Sequence, residues 1–383
     1  MAVHAAALRD AGAAVTIVAG RGGAPRGTRF VRVPLVSTKH PAIIRDGLAL
    51  ARGDVTPEHR RLVAQLVSAL SPIARSADRV VVHNVLTMNL SLALAEALAA
   101  LARERRAAFI AWTHDLAWTD PRYLPQRHAG LPWDTLCLAI PGMRYVAVSD
   151  ERADQLAALL RMPRRRVTVV PNGIDLASRL ALSAAGEAMA ERLGLFDADP
   201  LLLLPARLTR RKRVELAIDA VAALRRRHPR ATLVVTGSPG PHDRANRAYA
   251  ADLVSRGDRV GGVHLLSARG GRVSDRVMAD LFSLADALVL PSESEGFGIP
   301  LLEAGANGLP VVCTDLPTLR AVAGDAATYV DPRGDGRAFA AAIERRLASD
   351  PVARLRRRAK QHAWPRILRE QVIPTILSGD VAR

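Results

Sequence analysis

The stretch that most constrains the fold comprises residues 287–308, which read ALVLPSESEGFGIPLLEAGANG. Its first four residues, Ala287–Leu290, form an apolar run that predicts a buried strand, and the polar segment 291–298 predicts the loop that follows it. Pro300 suits the first residue of a helix, because its ring presets φ and its missing N–H would be unpaired there. A strand, a loop and a helix in this order predict a parallel α/β unit.

Two carboxylates flank this corner. Glu295 falls on the predicted loop, and Glu303 falls in the first turns of the predicted helix. Free N–H groups at a helix start favour an anion, and Gly296 and Gly298 allow a ligand to approach the backbone closely. The combination suits a ligand with phosphates and hydroxyls, such as a nucleotide-sugar. The alternative is an ordinary corner, in which Glu295 is solvated and Glu303 only interacts with the helix dipole.

Residues 291–304 have the pattern Pro-Ser-x-x-Glu-Gly-Phe-Gly-x-Pro-x-x-Glu-Ala. This pattern resembles the donor-site signature of the retaining GT-B glycosyltransferases, in particular family 4, and the resemblance covers nearly the whole chain. It implies an α/β fold with two Rossmann-like doubly wound domains that face a cleft.

The resemblance also implies roles for residues of this corner. Glu295 would hold a sugar hydroxyl and Glu303 the ribose diol, while Gly296 belongs to the same donor-binding loop. The amides of three further residues would face sugar or phosphate: Phe297, Gly298 and Leu301. The family is described by front-face attack, in which the departing phosphate takes the acceptor proton. A double displacement with Glu295 as the nucleophile is the alternative.

A basic turn follows the apolar run 201–204. Fixed cations stabilise a diphosphate leaving group as negative charge builds on it. In the resembled family an Arg-x4-Lys pair binds the donor diphosphate, and that spacing maps onto Arg207 and Lys212. Lysine is rare in this chain, which has three among 54 lysines and arginines, so a lysine at this position favours a functional role. The remaining basic residues of the turn are expected to be solvated: Arg210, Arg211 and Arg213.

His114 and Asp115 end another predicted strand. In the resemblance this His-Asp pair reaches across the cleft, and the histidine contacts the donor sugar near the reacting carbon. His83 ends a neighbouring strand, and we place it with Asp115 on the acceptor side. The alternative is that these are hydrogen-bonded surface groups.

The formal net charge of +17 comes almost wholly from arginine. Arginine clusters without interleaved aromatics argue against single-stranded nucleic acid as a partner. The two cysteines, Cys137 and Cys313, lie in apolar segments, so we expect neither a disulfide nor a cysteine metal site. Asp197 and Asp199 mimic a metal-binding DxD but precede a strand within a polar linker. No metal and no cofactor are therefore expected besides a UDP- or GDP-linked sugar as co-substrate.

The N-terminal domain begins on a predicted helix, 1–12, followed by a strand over 14–20. In a doubly wound sheet a first strand lies centrally, between strands two and four. Its absence here would leave edges unpaired, each lost backbone partner costing about 1–3 kcal/mol. We therefore predict that the gene product starts upstream or that this chain is truncated.

The rest of the chain alternates strands and helices. Further strands are predicted at 30–36, 79–83, 107–113, 145–148, 168–170, 201–205, 232–237, 263–266, 287–290, 311–314 and 327–330. Helices are predicted at 57–74, 90–104, 150–160, 214–228, 243–256, 274–285, 300–308 and 317–323. We expect an acceptor-side domain over 1–176, a donor domain over 177–360 with a linker in 176–199, and a final helix over 361–383 that crosses back to the first domain.

These observations predict a retaining, metal-independent transferase that moves a hexose to a sugar, lipid or small-molecule acceptor. We expect it in the cytoplasm, and at the inner face of the membrane through anionic lipid if the acceptor is a lipid. Two alternatives stay open, a non-catalytic relative that binds a nucleotide-sugar and another GT-B enzyme such as a sugar-nucleotide epimerase. A phosphorylase is disfavoured, because no lysine occupies the position expected for a pyridoxal phosphate anchor.

Overall fold

A computed structural model describes residues 1–104, 107–239, 244–268 and 272–378. The chain folds as two compact units, of which unit 1 comprises Met1–Asn172 with Pro365–Arg383 and unit 2 comprises Gly173–Trp364. These divisions lie four residues from the predicted ones at 176 and 360.

Unit 1 has strands and helices that alternate along the chain. Its strands are β1 (Thr16–Ala19), β2 (Arg29–Arg32), β3 (Arg79–His83), β4 (Ala108–Thr113), β5 (Arg144–Ala147) and β6 (Val167–Val169). Its helices up to residue 172 are α1 (Ala2–Asp10), α2 (Pro41–Ala51), α3 (Pro57–Arg75), α4 (Leu92–Arg103) and α5 (Asp150–Leu159).

The strands of unit 1 form two parallel sheets. One contains β1 and β2, and the other has the order β3-β4-β5-β6. Within the described residues, no hydrogen bonding joins β1 to β3, the pair between which a doubly wound sheet would place its first strand.

Two elements of unit 1 differ from the sequence prediction. The strand predicted over 30–36 ends at Arg32, and Pro34–Val36 is a 3-10 turn, because a proline cannot donate to the sheet. Helix α2 was not predicted. Its start is nevertheless marked in the sequence, since the His40 ring accepts from the Ala42 N–H and Pro41 occupies the first turn.

A buried ionic triad joins α2, α3 and α4. Nδ1 of His59 lies 3.0 Å from both carboxylate oxygens of Asp46, and its Nε2 lies 2.7 Å from Oε2 of Glu96. The His59 side chain is 2% exposed. Burial alone would lower the pKa of His59, but the two carboxylates outweigh it and raise that pKa to about 9. The triad therefore holds a charged imidazole at neutral pH.

The C-terminal segment belongs to unit 1. It continues from α15 (Trp364–Ile367) through a π turn over Leu368–Val372 into α16 (Ile373–Leu377). Arg79 donates to the Leu377 carbonyl at 3.1 Å, and Arg144 donates to the Thr375 carbonyl. The segment is thus anchored to β3 and β5. The sequence predicted one helix over 361–383, whereas within the described residues the helical part runs from Trp364 to Leu377 and includes a π turn.

Unit 2 contains one six-stranded parallel sheet. Its strands are β7 (Leu201–Leu204), β8 (Thr232–Val235), β9 (Val263–Leu265), β10 (Ala287–Leu290), β11 (Val311–Thr314) and β12 (Thr328–Val330). Their order is β12-β11-β10-β7-β8-β9, which is the doubly wound order. Each residue of the four central strands is buried, because helices cover both faces of such a sheet.

The helices of unit 2 include four that were not predicted, the first two and the last two of the unit. They are α6 (Leu176–Arg179), α7 (Ala184–Arg192), α8 (Val214–Leu224), α9 (Arg244–Val260), α10 (Asp275–Leu284), α11 (Ile299–Ala306), α12 (Pro317–Ala323), α13 (Gly336–Ser349) and α14 (Pro351–Gln361). Helices α6 and α7 occupy the segment predicted as a linker, and Ser183 caps α7. Ser274 caps α10 as predicted. The predicted start of α9 at 243 lies outside the described residues.

Lys360 has a structural role in unit 2. Its ammonium donates to Oδ2 of Asp286 at 2.8 Å, and the same oxygen accepts from the Leu201 N–H at 2.7 Å. The Asp286 side chain is 1% exposed. The pair fixes α14 against the start of β7.

Across the described part of the chain, no helix combines the length and the apolar character that a membrane span requires.

Candidate functional site

The loops after β7 and β10 meet at one edge of the unit 2 sheet. These two strands pair in parallel, with Leu288 opposite Leu203, so their carboxyl ends lie side by side. The Glu293 N–H donates to the Arg211 carbonyl at 2.8 Å. The basic turn (residues 207–213) and the loop over residues 291–298, which we call the glutamate loop, were predicted as separate motifs. In the structure they are joined by this hydrogen bond.

Lys212 and Glu295 form an ion pair at the centre of this structure. The Lys212 ammonium donates to Oε1 of Glu295, which also accepts from the Ser292 hydroxyl at 2.6 Å. Both side chains are largely buried, with exposed fractions of 12% and 9%. Because Lys212 and Ser292 both donate to Oε1, Oε2 accepts no hydrogen bond from the described residues and is left for a further donor.

Arg211 is exposed, as predicted, with 53% of its side chain accessible, and it also contacts the glutamate loop. Its Nη1 donates to the Ser294 carbonyl at 3.2 Å and lies 4.0 Å from Oε2 of Glu295. Residues Arg210–Lys212 form a 3-10 turn beside the glutamate loop, which brings Arg211 to it as well as Lys212. Arg210 lies over the Tyr249 ring at 5.3 Å.

Arg207 lies exposed on the loop after β7. Its guanidinium makes no hydrogen bond or ion pair with any of the described residues, so it is available to a ligand. The loop backbone is packed tightly against the end of β8, because a Cβ on Gly237 would overlap the carbonyl oxygen of Ala206. Gly237 thus fixes the path of the loop that carries Arg207.

The fold requires glycine at only one of the two glycine positions of the glutamate loop. Gly298 caps α11 with φ +100°, and a Cβ there would lie 2.7 Å from Cδ2 of Leu319, so this position needs glycine for the fold. A Cβ on Gly296 would meet no atom within 4 Å. The fold therefore does not require glycine at 296, which agrees with an approach of a ligand to the backbone.

The start of α11 corrects two details of the prediction. The helix begins at Ile299, so Pro300 is its second residue. The Leu301 N–H donates to the Gly298 carbonyl at 2.9 Å, so this amide is used within the first turn and Leu301 itself is buried. The N–H groups of Phe297 and Gly298 donate to no described residue. Glu303 is exposed on α11, and its carboxylate has no partner in the part of the chain described.

In unit 1, Asn84 holds the predicted His-Asp pair. Its side-chain oxygen accepts from the backbone N–H groups of both His114 and Asp115 at 2.9 Å, and its Nδ2 donates to Oδ2 of Asp115 at 3.2 Å. Asn84 has φ 55°, a conformation that asparagine tolerates better than most residues. The turn that carries His114 is therefore clamped from the end of the neighbouring strand.

Three histidines cluster at the ends of β3 and β4. The ring centroids of His83 and His114 lie 6.3 Å apart, and those of His83 and His4 lie 5.3 Å apart, beside the buried Trp112. Burial lowers the pKa of His4 to about 4 and that of His83 to about 3. Burial also lowers the pKa of His114, against the opposing effect of Asp115. These imidazoles are neutral at pH 7, so His114 can both donate and accept hydrogen bonds.

Two family models match the chain. Residues 2–178 match the model described as Glycosyltransferase Family 4, and residues 187–363 match the one described as Glycosyl transferases group 1. Together with the doubly wound α/β sheet of unit 2, they define the class as the GT-B glycosyltransferases. The chain belongs to glycosyltransferase family 4.

Known relatives agree with this family. D-inositol 3-phosphate glycosyltransferase of Kineococcus radiotolerans is 33% identical over 240 residues, 58% of this chain and 54% of the relative. The protein of the same name from Streptomyces avermitilis is 32% identical over 224 residues, 57% of this chain and 48% of the relative. O-antigen chain mannosyltransferase B of Escherichia coli is 40% identical over 117 residues, 29% of each chain. The chain spans about half the length of the first of these curated relatives.

Among solved structures, a glycosyltransferase from Rickettsia africae matches with a TM-score of 0.38 and 14% identity, covering 99% of this chain and 94% of that one. HepE of Anabaena in complex with UDP and glucose matches with a TM-score of 0.37 and 18% identity, covering 83% and 81%.

Some residues of these sites escaped sequence reasoning. The position of Asn84 directly after a strand was visible in the sequence. Its contacts with residue 114 were not, because they depend on the pairing of β3 with β4. Gly237 likewise follows a strand. Ser292 belongs to the family pattern but received no role. The ligand contacts of the predicted residues stay predictions, and within the described residues no cluster of three His, Cys, Asp or Glu side chains is arranged to hold a metal.

Proposed function

We propose that this protein transfers a hexose from a UDP- or GDP-sugar to an acceptor, with retention of configuration and without a metal ion. The observation that carries the proposal is the buried pair of Lys212 and Glu295, which joins the loops after β7 and β10. The fold places a cation, an exposed arginine and unpaired backbone N–H groups along these loops. Such groups suit the diphosphate of an activated sugar.

Each residue has a definite part in the proposed transfer. Lys212 and Arg207 stabilise the charge that builds on the diphosphate as the sugar bond breaks. Glu295 fixes the ammonium through Oε1 and offers Oε2 to a sugar hydroxyl. Neutral His114 contacts the sugar near the reacting carbon, and the departing phosphate takes the acceptor proton. Glu303 binds the ribose diol.

A panel of UDP- and GDP-sugars tests this function. Donor hydrolysis and thermal shift are measured on the full chain without acceptor. We expect one sugar nucleotide to raise Tm and to be hydrolysed slowly. If a sugar nucleotide binds but is not hydrolysed, the result favours a non-catalytic relative, and if none binds, the proposed donor is wrong.

We also propose that unit 1 makes a peripheral contact with anionic lipid. On α2 the side chains of Ile44 and Leu48 are 48% and 59% exposed, one turn apart, and Leu124 on the adjacent 3-10 turn is 43% exposed. Exposed Arg45 lies on the same helix, and exposed Arg52 directly follows its last residue. Apolar side chains beside cations suit the surface of an anionic bilayer.

Cosedimentation with phosphatidylcholine vesicles, with and without phosphatidylserine, tests this contact. We expect binding only to the vesicles that contain phosphatidylserine, and we expect Ile44→Ser with Leu48→Ser to reduce it several-fold. Val352→Ser with Leu355→Ser is the matched control, because these residues of α14 are 58% and 71% exposed in unit 2. Equal loss in both double variants would contradict a specific surface on α2.

A further inference from the structure

A cavity of about 360 Å³ in unit 1 starts directly after the His114 turn. Asp115 and Leu116 line it together with Met88, and the last two are buried. Two arginines, Arg122 and Arg152, also reach it. This volume falls at the small end of ligand pockets, so it suits a molecule of about the size of a monosaccharide derivative.

One of the two arginines is neutralised by its neighbour. Nε of Arg122 lies 3.1 Å from both carboxylate oxygens of Asp120, and its Nη2 lies 2.6 Å from Oδ2. The Arg122 N–H also donates to Oδ1 at 2.9 Å. These hydrogen bonds from Arg122 lower the pKa of Asp120 to about 2. Asp120 and Arg122 therefore form a satisfied, neutral part of the wall.

Arg152, in the first turn of α5, has no such partner. Its Nη1 donates to Oε1 of Gln155 at 2.7 Å, and no carboxylate of the described residues lies within ion-pair distance of it. The acidic residues of its own helix contact other side chains: Arg164 binds Asp150 at 2.8 Å and Asp154 at 2.7 Å, and Glu151 accepts from Nε2 of Gln155 at 3.2 Å. A half-buried guanidinium with unused donors favours an anionic oxygen from a ligand.

Asp115 contributes the opposite kind of group. Oδ2 accepts from Asn84, and its backbone N–H is fixed by the same residue. Oδ1 has no partner among the residues described. A fixed carboxylate with a free oxygen accepts hydrogen bonds from hydroxyl groups and repels an acidic group. The cavity therefore presents one group for hydroxyls and another for an anion.

We propose that this cavity binds the acceptor, and that the acceptor is a small polyhydroxylated molecule with one acidic group, a phosphate or a carboxylate. Arg152 binds the acidic group, and Asp115 accepts from a hydroxyl. The inference rests on the proposed transferase function, because it assigns the cavity beside His114 to the second substrate. It adds Arg152 as the residue that selects for the acid.

Isothermal titration of the full chain with two matched pairs of probes tests the proposal. The pairs are D-inositol 3-phosphate with myo-inositol, and D-glucuronate with D-glucose. We expect at least one acidic probe to bind about tenfold more tightly than its neutral counterpart, the worth of a charged hydrogen bond. A preference in the first pair alone identifies a phosphate, and one in the second pair alone identifies a carboxylate.

Variants separate the pocket from general charge effects. Arg152→Gln is expected to abolish the preference for the acidic probe, and Arg152→Lys to retain part of it. Arg165→Gln makes the same charge change at an exposed residue outside the cavity and should retain the preference. Asp115→Asn should weaken the neutral probe and should retain or increase the preference for the acidic one, because the variant also removes the charge that repels an acidic group.

Three results would overturn the proposal. They are equal binding of acidic and neutral probes, an undiminished preference in Arg152→Gln, and an equal loss in Arg165→Gln. Urea unfolding of each variant establishes that it is folded. If Arg152→Gln is not folded, Arg152→Lys replaces it as the test of the arginine. Donor hydrolysis by the unaltered chain does not depend on this cavity. A lack of hydrolysis would therefore count against the transferase function, whereas the binding of the acidic probes would still be interpretable.

Discussion

Replacing Lys212 with alanine is expected to lower kcat/KM for the sugar nucleotide by about tenfold to a hundredfold. This corresponds to about 1.5–3 kcal/mol of transition-state stabilisation, the usual worth of a charged hydrogen bond. The Lys212 side chain is 12% exposed, so little water can replace its ammonium. Because the leaving diphosphate gains charge as the bond breaks, kcat should fall more than KM rises. Steady-state kinetics with the donor identified by the panel measure both constants.

The matched control for this variant is Arg210→Ala. It removes one positive charge from the same 3-10 turn, but its guanidinium lies over the Tyr249 ring and outside the ion pair. We expect its kcat/KM to stay within about twofold of the original value, as the small effect of an exposed charge predicts. A loss in Arg210→Ala as large as that in Lys212→Ala would mean that only the overall charge of the turn matters.

A double variant distinguishes two causes of the loss. Removing Lys212 also leaves the buried carboxylate of Glu295 with only Ser292 as a close partner, which could disturb the loop by itself. In Lys212→Ala with Glu295→Gln no unpaired charge is left. If the unpaired carboxylate disturbs the loop, the double variant should regain the urea stability that Lys212→Ala loses. We expect kcat/KM to stay low in both variants, because both residues are proposed to contact the donor. A kcat/KM for Lys212→Ala equal to that of the unaltered chain would remove Lys212 from the site.

The sequence predicts the strands of unit 2 better than any other part of the chain. The bounds of β10 and β11 agree with the prediction at both ends, because each is an apolar run closed by residues typical of turns. The pattern of residues 291–304 then predicted the loop and the helix. What it could not give was the hydrogen bond between Glu293 and Arg211, since those residues are 82 positions apart in sequence and meet only through the pairing of β7 with β10.

Local patterns fail in a different way in unit 1. Helix α2 was missed although His40 and Pro41 mark its start, because its buried face includes Asp46, a residue that apolar periodicity counts as solvent-facing. Asp46 is buried because His59 of α3 pairs with it, and His59 in turn pairs with Glu96 of α4. A triad assembled from three elements leaves no local signal, and the same is true of the Asn84 clamp.

The stability of unit 1 is expected to fall by about 3 kcal/mol as pH rises from about 6.5 to about 9, owing to His59 alone. The folded pKa of His59 is raised from 6.5 to about 9 by Asp46 and Glu96, against the effect of burial. A raised pKa means that the folded state binds the proton more tightly than the unfolded state. The stabilisation is therefore fully present below pH 6.5 and is lost as the imidazole deprotonates.

Urea unfolding followed by tryptophan fluorescence measures this effect, because three of the four tryptophans, Trp112, Trp118 and Trp133, lie in unit 1. His59→Gln removes the titration but leaves two carboxylates without their cation, so it should be destabilised by about 3 kcal/mol at pH 6. The difference in the free energy of unfolding between His59→Gln and the unaltered protein should shrink towards pH 9. Other titrating groups contribute equally to both proteins, so their contributions cancel in that difference. Asp46→Asn with Glu96→Gln removes the cause of the raised pKa, so the loss of stability between pH 6.5 and pH 9 should disappear in it as it does in His59→Gln. A difference that stays constant from pH 6 to pH 9 would mean that His59 is not charged in the folded protein, and the triad would then be a set of neutral hydrogen bonds.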